Sequence, residues 1–313
     1  MKKLAKIIFR LLVFVFILLN VITAFHAYKF THFYDAAAAP APGIKKSGFD
    51  VTTDILFGAK VYKQKNILPA DSAFRDIVLT TKDDIKIDCW YLKPPGTAKG
   101  TVIMFHGHGS KKSSTMDESN GFRKMGYNTF MVEFRAHGSS GGNTSTIGYF
   151  EDEEVKLAYE YIKSTGEKNI ILWGISMGAA TISKAIKEYG LQPSKVILEM
   201  PFASILQAAE GRIKMMGLPA EPLATFVTFW GGTENGFWAF GMKPAEFVKS
   251  IQCPVLLQWG RKDPRVKQEE TDLVYANISA PKKLVVYENS AHESLCTKEN
   301  EKWMKEVGEF LSK

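Results

Sequence analysis

The segment that most constrains the fold is a strand that turns directly into a helix at 174–178. An apolar, β-branched run at 169–173 precedes this G-x-S-x-G pentapeptide, and a helical pattern at 179–186 follows it. The two glycines permit a turn too tight for side chains, and the turn raises the hydroxyl of Ser176 to its tip. There, at a helix N-terminus, free backbone N–H groups favour negative charge. The segment predicts a nucleophilic serine suited to acyl transfer. The alternative is a solvent-facing serine in a glycine-rich turn.

The rest of the chain alternates between strand and helix patterns. A hairpin is predicted from the apolar runs 77–80 and 85–92. Further strands are expected near 101–106, 128–134, 169–174, 194–200, 253–259 and 282–287, and helices near 115–125, 150–164, 177–189, 266–276 and 298–312. This order predicts an α/β fold with a mostly parallel, eight-stranded sheet, an antiparallel start and helices on both faces.

A long connection after the sixth strand interrupts this alternation. About fifty residues separate the strand that ends at Met200 from the strand that begins at Cys253, and we expect a helical cap at about 203–248. Connections of this length are usually lids or small subdomains. We therefore expect its large apolar side chains to bind substrate, although they could instead pack the cap onto the core. The candidate substrate-binding residues are Met215, Met216, Phe229, Trp230 and Trp238.

Two further candidates for chemistry follow the last two strands. Asp263 comes after the strand 253–260, and His292 comes after the strand 283–287. The carboxyl ends of parallel strands meet at one edge of a sheet, so both side chains should face Ser176. Histidine can take the serine proton near neutral pH, and a carboxylate can hold the ring in the required tautomer. Taken singly, Asp263 could be a turn former and His292 a surface residue, but the three together predict a catalytic triad.

A His-Gly-His turn follows the strand 101–105. Its position predicts an oxyanion hole made of the backbone N–H groups of His108 and Met177. His106, His108 and His137 also raise the question of a metal site. No carboxylate or cysteine accompanies them, so we expect no metal and interpret His106 as a buried residue that braces the turn. The predicted chemistry needs no cofactor.

The N-terminus resembles a membrane span. Residues 7–25 are almost wholly apolar and follow a lysine-rich start, which favours an uncleaved anchor at 1–30 over a cleaved signal peptide. A linker rich in Ala, Pro and Gly is expected at 31–48, followed by the catalytic domain at 49–313. Positive charge before the span predicts a cytoplasmic N-terminus and an extracytoplasmic domain; secretion after cleavage is the alternative. Three cysteines do not form a disulfide framework.

The net charge of +7 does not indicate a nucleic-acid partner. Five basic residues precede the first acidic residue, Asp35, and without them the chain has 35 basic and 33 acidic residues. A chain with this near balance lacks the basic surface that nucleic-acid binding requires. The partners expected are the membrane, through the N-terminal helix, and a small-molecule ester or acyl substrate.

Five stretches resemble the α/β-hydrolase superfamily, and the resemblance covers about residues 74–313. The stretch 133–141 is similar to the D-x-R-G-H-G-x-S-x-G pattern of the serine-aminopeptidase-like and monoacylglycerol-lipase-like branch, with Glu133 and Ala136 in place of Asp and Gly. In that branch the residues matching Arg135 and His137 organise the loop. The other matching stretches are 105–109, 174–178, 259–263 and 291–293. The resemblance implies the α/β-hydrolase fold, with a cap after its sixth strand.

The pattern and the resemblance together predict a membrane-anchored serine hydrolase. We expect it to cleave a carboxylic ester, such as a lipid or acyl ester, through an acyl-enzyme. An aminopeptidase or a thioesterase could use the same triad, and a non-catalytic binding protein could share the fold. An aminopeptidase would need an acidic group to hold the substrate amine, for which Glu210, Glu221 and Glu234 in the cap are candidates.

Overall fold

The computed structural model describes residues 1–40, 46–67 and 74–313, and a β-sheet forms its centre. Ten strands occur in these residues: β1 (Phe33–Tyr34), β2 (Val61–Tyr62), β3 (Phe74–Thr80), β4 (Lys86–Leu92), β5 (Thr101–Phe105), β6 (Asn128–Val132), β7 (Ile170–Ile175), β8 (Lys195–Glu199), β9 (Val255–Gly260) and β10 (Lys282–Tyr287). Strands β3 to β10 form one sheet in the order β10-β9-β8-β7-β5-β6-β4-β3. Only the β3–β4 and β4–β6 pairs of the described strands are antiparallel. The predicted eight-stranded, mostly parallel sheet is confirmed.

Helices cover both faces of this sheet. The described residues contain eleven α-helices: α1 (Lys2–Thr31), α2 (Gly48–Phe57), α3 (Met116–Lys124), α4 (Asp152–Ser164), α5 (Met177–Tyr189), α6 (Ile205–Met215), α7 (Leu223–Glu234), α8 (Pro244–Phe247), α9 (Gln268–Asn277), α10 (Leu295–Lys298) and α11 (Asn300–Ser312). Helices α4, α5 and α9 pack on one face, and α3 and α11 pack on the other. Side chains of a strand alternate between the faces, so Ile103 and Phe105 join the first core while Val102 and Met104 join the second.

The segment between β8 and β9 forms the helical cap predicted after the sixth strand of the sheet. Helices α6 and α7 make up most of it, and α8 leads the chain back to the sheet. Ser204 begins α6 with its hydroxyl accepting a hydrogen bond from the backbone N–H of Gln207, which satisfies one of the free N–H groups at the helix start.

Helix α1 has the length and composition of a membrane span. Its most apolar 18-residue window has a mean hydropathy of 2.6, and 6% of that window is buried. Its second half nevertheless packs on α7 of the cap. The rings of Phe16 and Phe226 meet edge to face at 5.7 Å, and the indole N–H of Trp230 donates to the Asn20 side-chain oxygen at 3.2 Å. This contact between α1 and the cap was not predicted.

The stretch predicted as a linker, 31–48, contains ordered structure in its described part. Thr31 ends α1 and is buried, and Phe33 is buried beside it. Strand β1 pairs in parallel with β2. The alanines and prolines suggested a loose tether, whereas Phe33 supplies the apolar surface that holds this part of the chain against the domain. Residues 41–45 lie outside the described residues.

Candidate active site

Ser176 occupies the sharp turn between β7 and α5. Its backbone has φ 53° and ψ −115°, a conformation that is costly for a residue with a side chain and that is characteristic of functional turns. A Cβ on Gly174 would lie 2.6 Å from the carbonyl carbon of Gly178, and a Cβ on Gly178 would lie 2.2 Å from the carbonyl oxygen of Phe105. Both positions of the motif therefore require glycine because other backbone atoms approach closely.

The structure brings Ser176, His292 and Asp263 together at the carboxyl ends of β7, β10 and β9. Nε2 of His292 lies 2.9 Å from the Ser176 Oγ, and Nδ1 lies 2.6 Å from Oδ2 of Asp263. Asp263 is buried, and its other oxygen accepts hydrogen bonds from the backbone N–H groups of Arg265 at 2.7 Å and Val266 at 3.0 Å. Because the carboxylate can only accept, Nδ1 donates to it and Nε2 is left free to accept the serine proton.

The His-Gly-His turn lies directly against the serine. A Cβ on Gly107 would be 3.5 Å from the Ser176 Cβ. Met177 is the first residue of α5, so its N–H has no partner within the helix. The N–H groups of Met177 and His108 therefore belong to two segments that meet at Ser176, which is the arrangement that an oxyanion hole requires.

Two of the three histidines near this turn, His106 and His137, bond to the main chain. Nδ1 of His106 lies 2.8 Å from the carbonyl oxygen of Gly107, and its Nε2 accepts from the Phe134 N–H at 3.2 Å. Nε2 of His137 accepts from the Gly109 N–H at 2.9 Å. Burial lowers the pKa of His106 to about 4 and that of His137 to about 3, so both rings are neutral at pH 7. These residues brace the turn.

Glu133, which departs from the usual Asp of the loop pattern, is the centre of a buried hydrogen-bond network. Its carboxylate accepts from the Lys112 ammonium at 2.9 Å, from the Ser139 N–H at 2.7 Å and from the Asn66 amide at 2.8 Å. A Cβ on Gly138 would lie 2.1 Å from the carboxylate, so the loop closes tightly around it. The network holds the loop 133–141 that carries His137 and supports the turn beside Ser176.

A predominantly apolar cavity of about 930 Å³ opens beside Ser176 and His292. Among the five candidate substrate-binding residues, only Met216 lines it. Helix α7 turns Val227, Thr228 and Gly231 towards the cavity. The remaining candidates lie elsewhere: Met215 and Phe229 are substantially exposed, Trp238 is 65% exposed, and Trp230 bonds to α1. These four therefore do not line the cavity in this structure, because the sequence does not reveal which apolar side chains will face it.

Sequence reasoning missed the contribution of the N-terminal segments to this cavity. His26, Ala27, Phe30 and Thr31 of α1 line it, together with Val51, Asp54 and Ile55 of α2. The length of α1 accounts for this contribution. A membrane span needs about 20 residues, so a helix of 30 residues has about ten that must lie outside the hydrocarbon core.

The sequence of this chain is similar to those of several known proteins. The sequence model of the family described as "Serine aminopeptidase, S33" matches residues 96–229. The chain is 28% identical to the uncharacterized protein YqkD of Bacillus subtilis over 228 residues, which are 71% of this chain and 74% of YqkD. It is 24% identical to the alpha/beta hydrolase domain-containing protein WAV2 of Arabidopsis thaliana over 217 residues, 66% of this chain and 67% of WAV2.

Solved structures show the same likeness. The Pyrococcus furiosus esterase Pf2001 superposes with a TM-score of 0.67 at 26% identity, covering 82% of this chain and 98% of the esterase. An esterase from Exiguobacterium antarcticum shares the fold with a TM-score of 0.59 at 18% identity, covering 76% of this chain and all of that protein (100%).

Proposed function

The chain belongs to the α/β-hydrolase superfamily, and from that premise we propose that it is a serine hydrolase that cleaves a carboxylic ester through an acyl-enzyme. One observation carries the proposal: the hydrogen-bonded series from Ser176 through His292 to Asp263, at 2.9 and 2.6 Å, opens onto an apolar cavity. This arrangement supplies a nucleophile, a base and a group that orients the base.

The reaction proceeds in two halves. Ser176 Oγ attacks the ester carbonyl while Nε2 of His292 takes its proton, and the N–H groups of Met177 and His108 hold the negative charge that forms on the carbonyl oxygen. His292 then gives the proton to the leaving alcohol, which departs and leaves the acyl-enzyme. A water molecule, activated by the same nitrogen, attacks the acyl carbonyl and releases the acid and the free serine. Asp263 stabilises the imidazolium form in both halves.

The cavity walls favour an ester over a peptide. An aminopeptidase needs an acidic group close to the nucleophile to hold the substrate amine. The three candidates in the cap, Glu210, Glu221 and Glu234, are not among the described residues that line the cavity, whereas Asp54, Glu118 and Glu293 do line it. Its walls are mainly apolar, which suits an acyl chain. Kinetic comparison of a fatty-acyl ester, a thioester and an aminoacyl arylamide separates these substrates.

We also propose that α1 anchors the enzyme in a membrane with the catalytic domain on the extracytoplasmic side. The apolar window of α1 is preceded by Lys2, Lys3 and Lys6, and such positive charge stays on the cytoplasmic side. The full-length protein should therefore resist extraction by salt or alkaline carbonate, and protease added outside the cell should reach the domain.

Replacing the nucleophile tests the chemistry. Ser176→Ala should lower the hydrolysis of p-nitrophenyl butyrate by at least about 10⁴-fold and abolish labelling by a fluorophosphonate probe. Ser183→Ala is the matched control, because that hydroxyl lies further along α5 and bonds to the Ala179 carbonyl oxygen at 3.0 Å. The control should retain both hydrolysis and labelling. Labelling that survives Ser176→Ala would overturn the assignment of the nucleophile.

A further inference from the structure

One wall of the cavity belongs to the helix that has the character of a membrane span. His26, Ala27, Phe30 and Thr31 of α1 line the same cavity as Ser176. Their spacing of one, three and one residues places them on one face of the helix. The anchor is therefore part of the pocket, and the pocket lies where α1 meets the domain.

The beginning of α7 reaches to the depth of the membrane interior. About 20 residues cross the hydrocarbon core, so a span that begins at Ile7 ends near His26, where the cavity wall begins. Phe16 is ten residues before His26, about 15 Å deeper along the helix. Phe226, near the start of α7, packs against Phe16. When α1 spans a bilayer, the start of α7 therefore lies within the acyl-chain layer, and the cavity wall formed by α1 begins at the outer edge of that layer.

The surface around the cavity has the composition that contact with lipid requires. Residues 215–233 of the cap contain a single charged residue, Glu221. Apolar side chains are exposed on the cap and on α2, on both sides of the cavity: Met215, Met216 and Leu218 on the cap, and Phe49, Ile55 and Phe57 on α2. Phe25 of α1 packs edge to face on Phe57 at 5.3 Å, which makes this surface continuous with the span. Such an apolar surface is unfavourable in water and favourable against acyl chains.

The C-terminal end of α1 also packs against the His-Gly-His turn. The Phe30 ring packs against the His108 ring with centroids 4.4 Å apart, and the Arg212 guanidinium of α6 lies 4.4 Å from the centre of the Phe30 ring. Removal of α1 would open one side of the cavity and take away the packing of the residue whose N–H is proposed to hold the oxyanion. The active site is therefore complete only while the N-terminal helix stays attached.

From these contacts we infer that the cavity between α1, α2 and α7 binds the acyl chain of a long-chain ester that resides in the membrane, and that this chain enters from the bilayer. The inference rests on the serine-hydrolase function proposed above and adds to it the substrate class and the route of entry. The retained anchor then has two roles, since it holds the enzyme at the bilayer and forms one wall of the acyl-chain site.

The route of entry is tested with the full-length protein in phosphatidylcholine vesicles. 4-Methylumbelliferyl oleate is placed either in the same vesicles as the enzyme or in separate vesicles, and 4-methylumbelliferyl butyrate is supplied in solution. We expect oleate hydrolysis to be at least about tenfold faster when enzyme and ester share a bilayer. Equal initial rates in the two arrangements would show that the ester arrives through water and would overturn the inference.

The acyl-chain site is tested with two variants on one helix. Val51→Trp fills the cavity from α2, whereas Leu56→Trp places the same indole side chain at an exposed position of α2 that does not line it. Each methylene that no longer fits costs about fourfold in kcat/KM, so exclusion of two should lower the oleate-to-butyrate ratio of kcat/KM about fifteenfold in Val51→Trp. Leu56→Trp should keep the wild-type ratio. An unchanged ratio in a Val51→Trp protein with a wild-type melting temperature would overturn the site.

The two proposals fail in different ways. Absence of butyrate hydrolysis in the wild-type protein, or its persistence in Ser176→Ala, contradicts the serine-hydrolase function. Butyrate hydrolysis that depends on Ser176, combined with no turnover of oleate in the same bilayer, contradicts only the membrane-derived substrate.

Discussion

Replacement of Asp263 by asparagine tests how the structure sets the protonation of His292. One carboxylate oxygen accepts two backbone N–H groups, at 2.7 and 3.0 Å, and the other faces Nδ1 of the histidine at 2.6 Å. The amide of Asp263→Asn must keep its oxygen on the two N–H groups, because the flipped amide would leave them unsatisfied at roughly 1–3 kcal/mol each. Its NH₂ group then points at Nδ1, which must become an acceptor.

The consequence for catalysis is large. With Nδ1 as acceptor, the proton of the neutral His292 ring sits on Nε2, and the nitrogen that should take the Ser176 proton is blocked. Triads with this change lose about 10⁴-fold in kcat, equivalent to roughly 5.5 kcal/mol in the activation free energy. We expect the same loss here in kcat for p-nitrophenyl butyrate, with little change in KM and an unchanged melting temperature.

The matched control is Asp272→Asn, the same chemical change at an exposed position of α9. Its kcat should stay within about twofold of the wild-type value, as expected for a surface substitution. If Asp263→Asn folds normally and retains more than about a tenth of the wild-type kcat, the carboxylate does not set the tautomer and the reasoning is refuted.

Three further predictions concern stability. Burial raises the pKa of Glu199 to about 8 from 4.5, so the folded chain holds a proton that the unfolded chain releases, and stability falls by roughly 1.4 kcal/mol per pH unit across that window. The melting temperature of Glu199→Gln should therefore equal that of the wild type near pH 5 and exceed it at pH 9. An equal fall in the melting temperature of both proteins between pH 5 and pH 9 would contradict this. Gly178→Ala should prevent normal folding because its Cβ would lie 2.2 Å from the Phe105 carbonyl oxygen, whereas Gly308→Ala in α11 has no atom within 4 Å and should stabilise the fold by about 0.5–1 kcal/mol. Lys112→Met removes the ammonium that pairs with two carboxylates and should lower the free energy of unfolding by about 3–5 kcal/mol, measured by thermal unfolding. A melting temperature equal to that of the wild type would contradict a stabilising role of the network around Glu133.

Much of the fold could be predicted because its signals are local. Alternating apolar strands and amphipathic helices leave periodic patterns in short windows, and the eight strands of the sheet follow those patterns. The positions of Ser176, Asp263 and His292 could also be predicted, since parallel strands bring their carboxyl ends to one edge whatever the details of packing. The order of the strands in the sheet is therefore enough to bring these residues together.

The walls of the cavity could not be predicted in the same way. Trp230 and Trp238 are as apolar in sequence as Val227, but α7 turns Val227 towards the cavity and bonds Trp230 to α1. Trp238 follows α7 and is exposed. Phe33 lies in a stretch that looks like a tether, yet it is buried against the domain. The type of a residue shows that its side chain is stabilised by an apolar contact, but it does not show which residue provides that contact.

The sequence by itself determined the sheet, the strand–turn–helix around Ser176 and the residues that can share its proton, because each depends on a short pattern or on strand order. Only the tertiary structure decided that α1 and α2 close the cavity with the cap. Phe16 and Phe226 are about two hundred positions apart, and contacts between such distant segments depend on the faces that the packed helices present. No local periodicity records that choice, so the positions of these three side chains at one edge of the sheet could be predicted from the chain while the walls of the cavity could not.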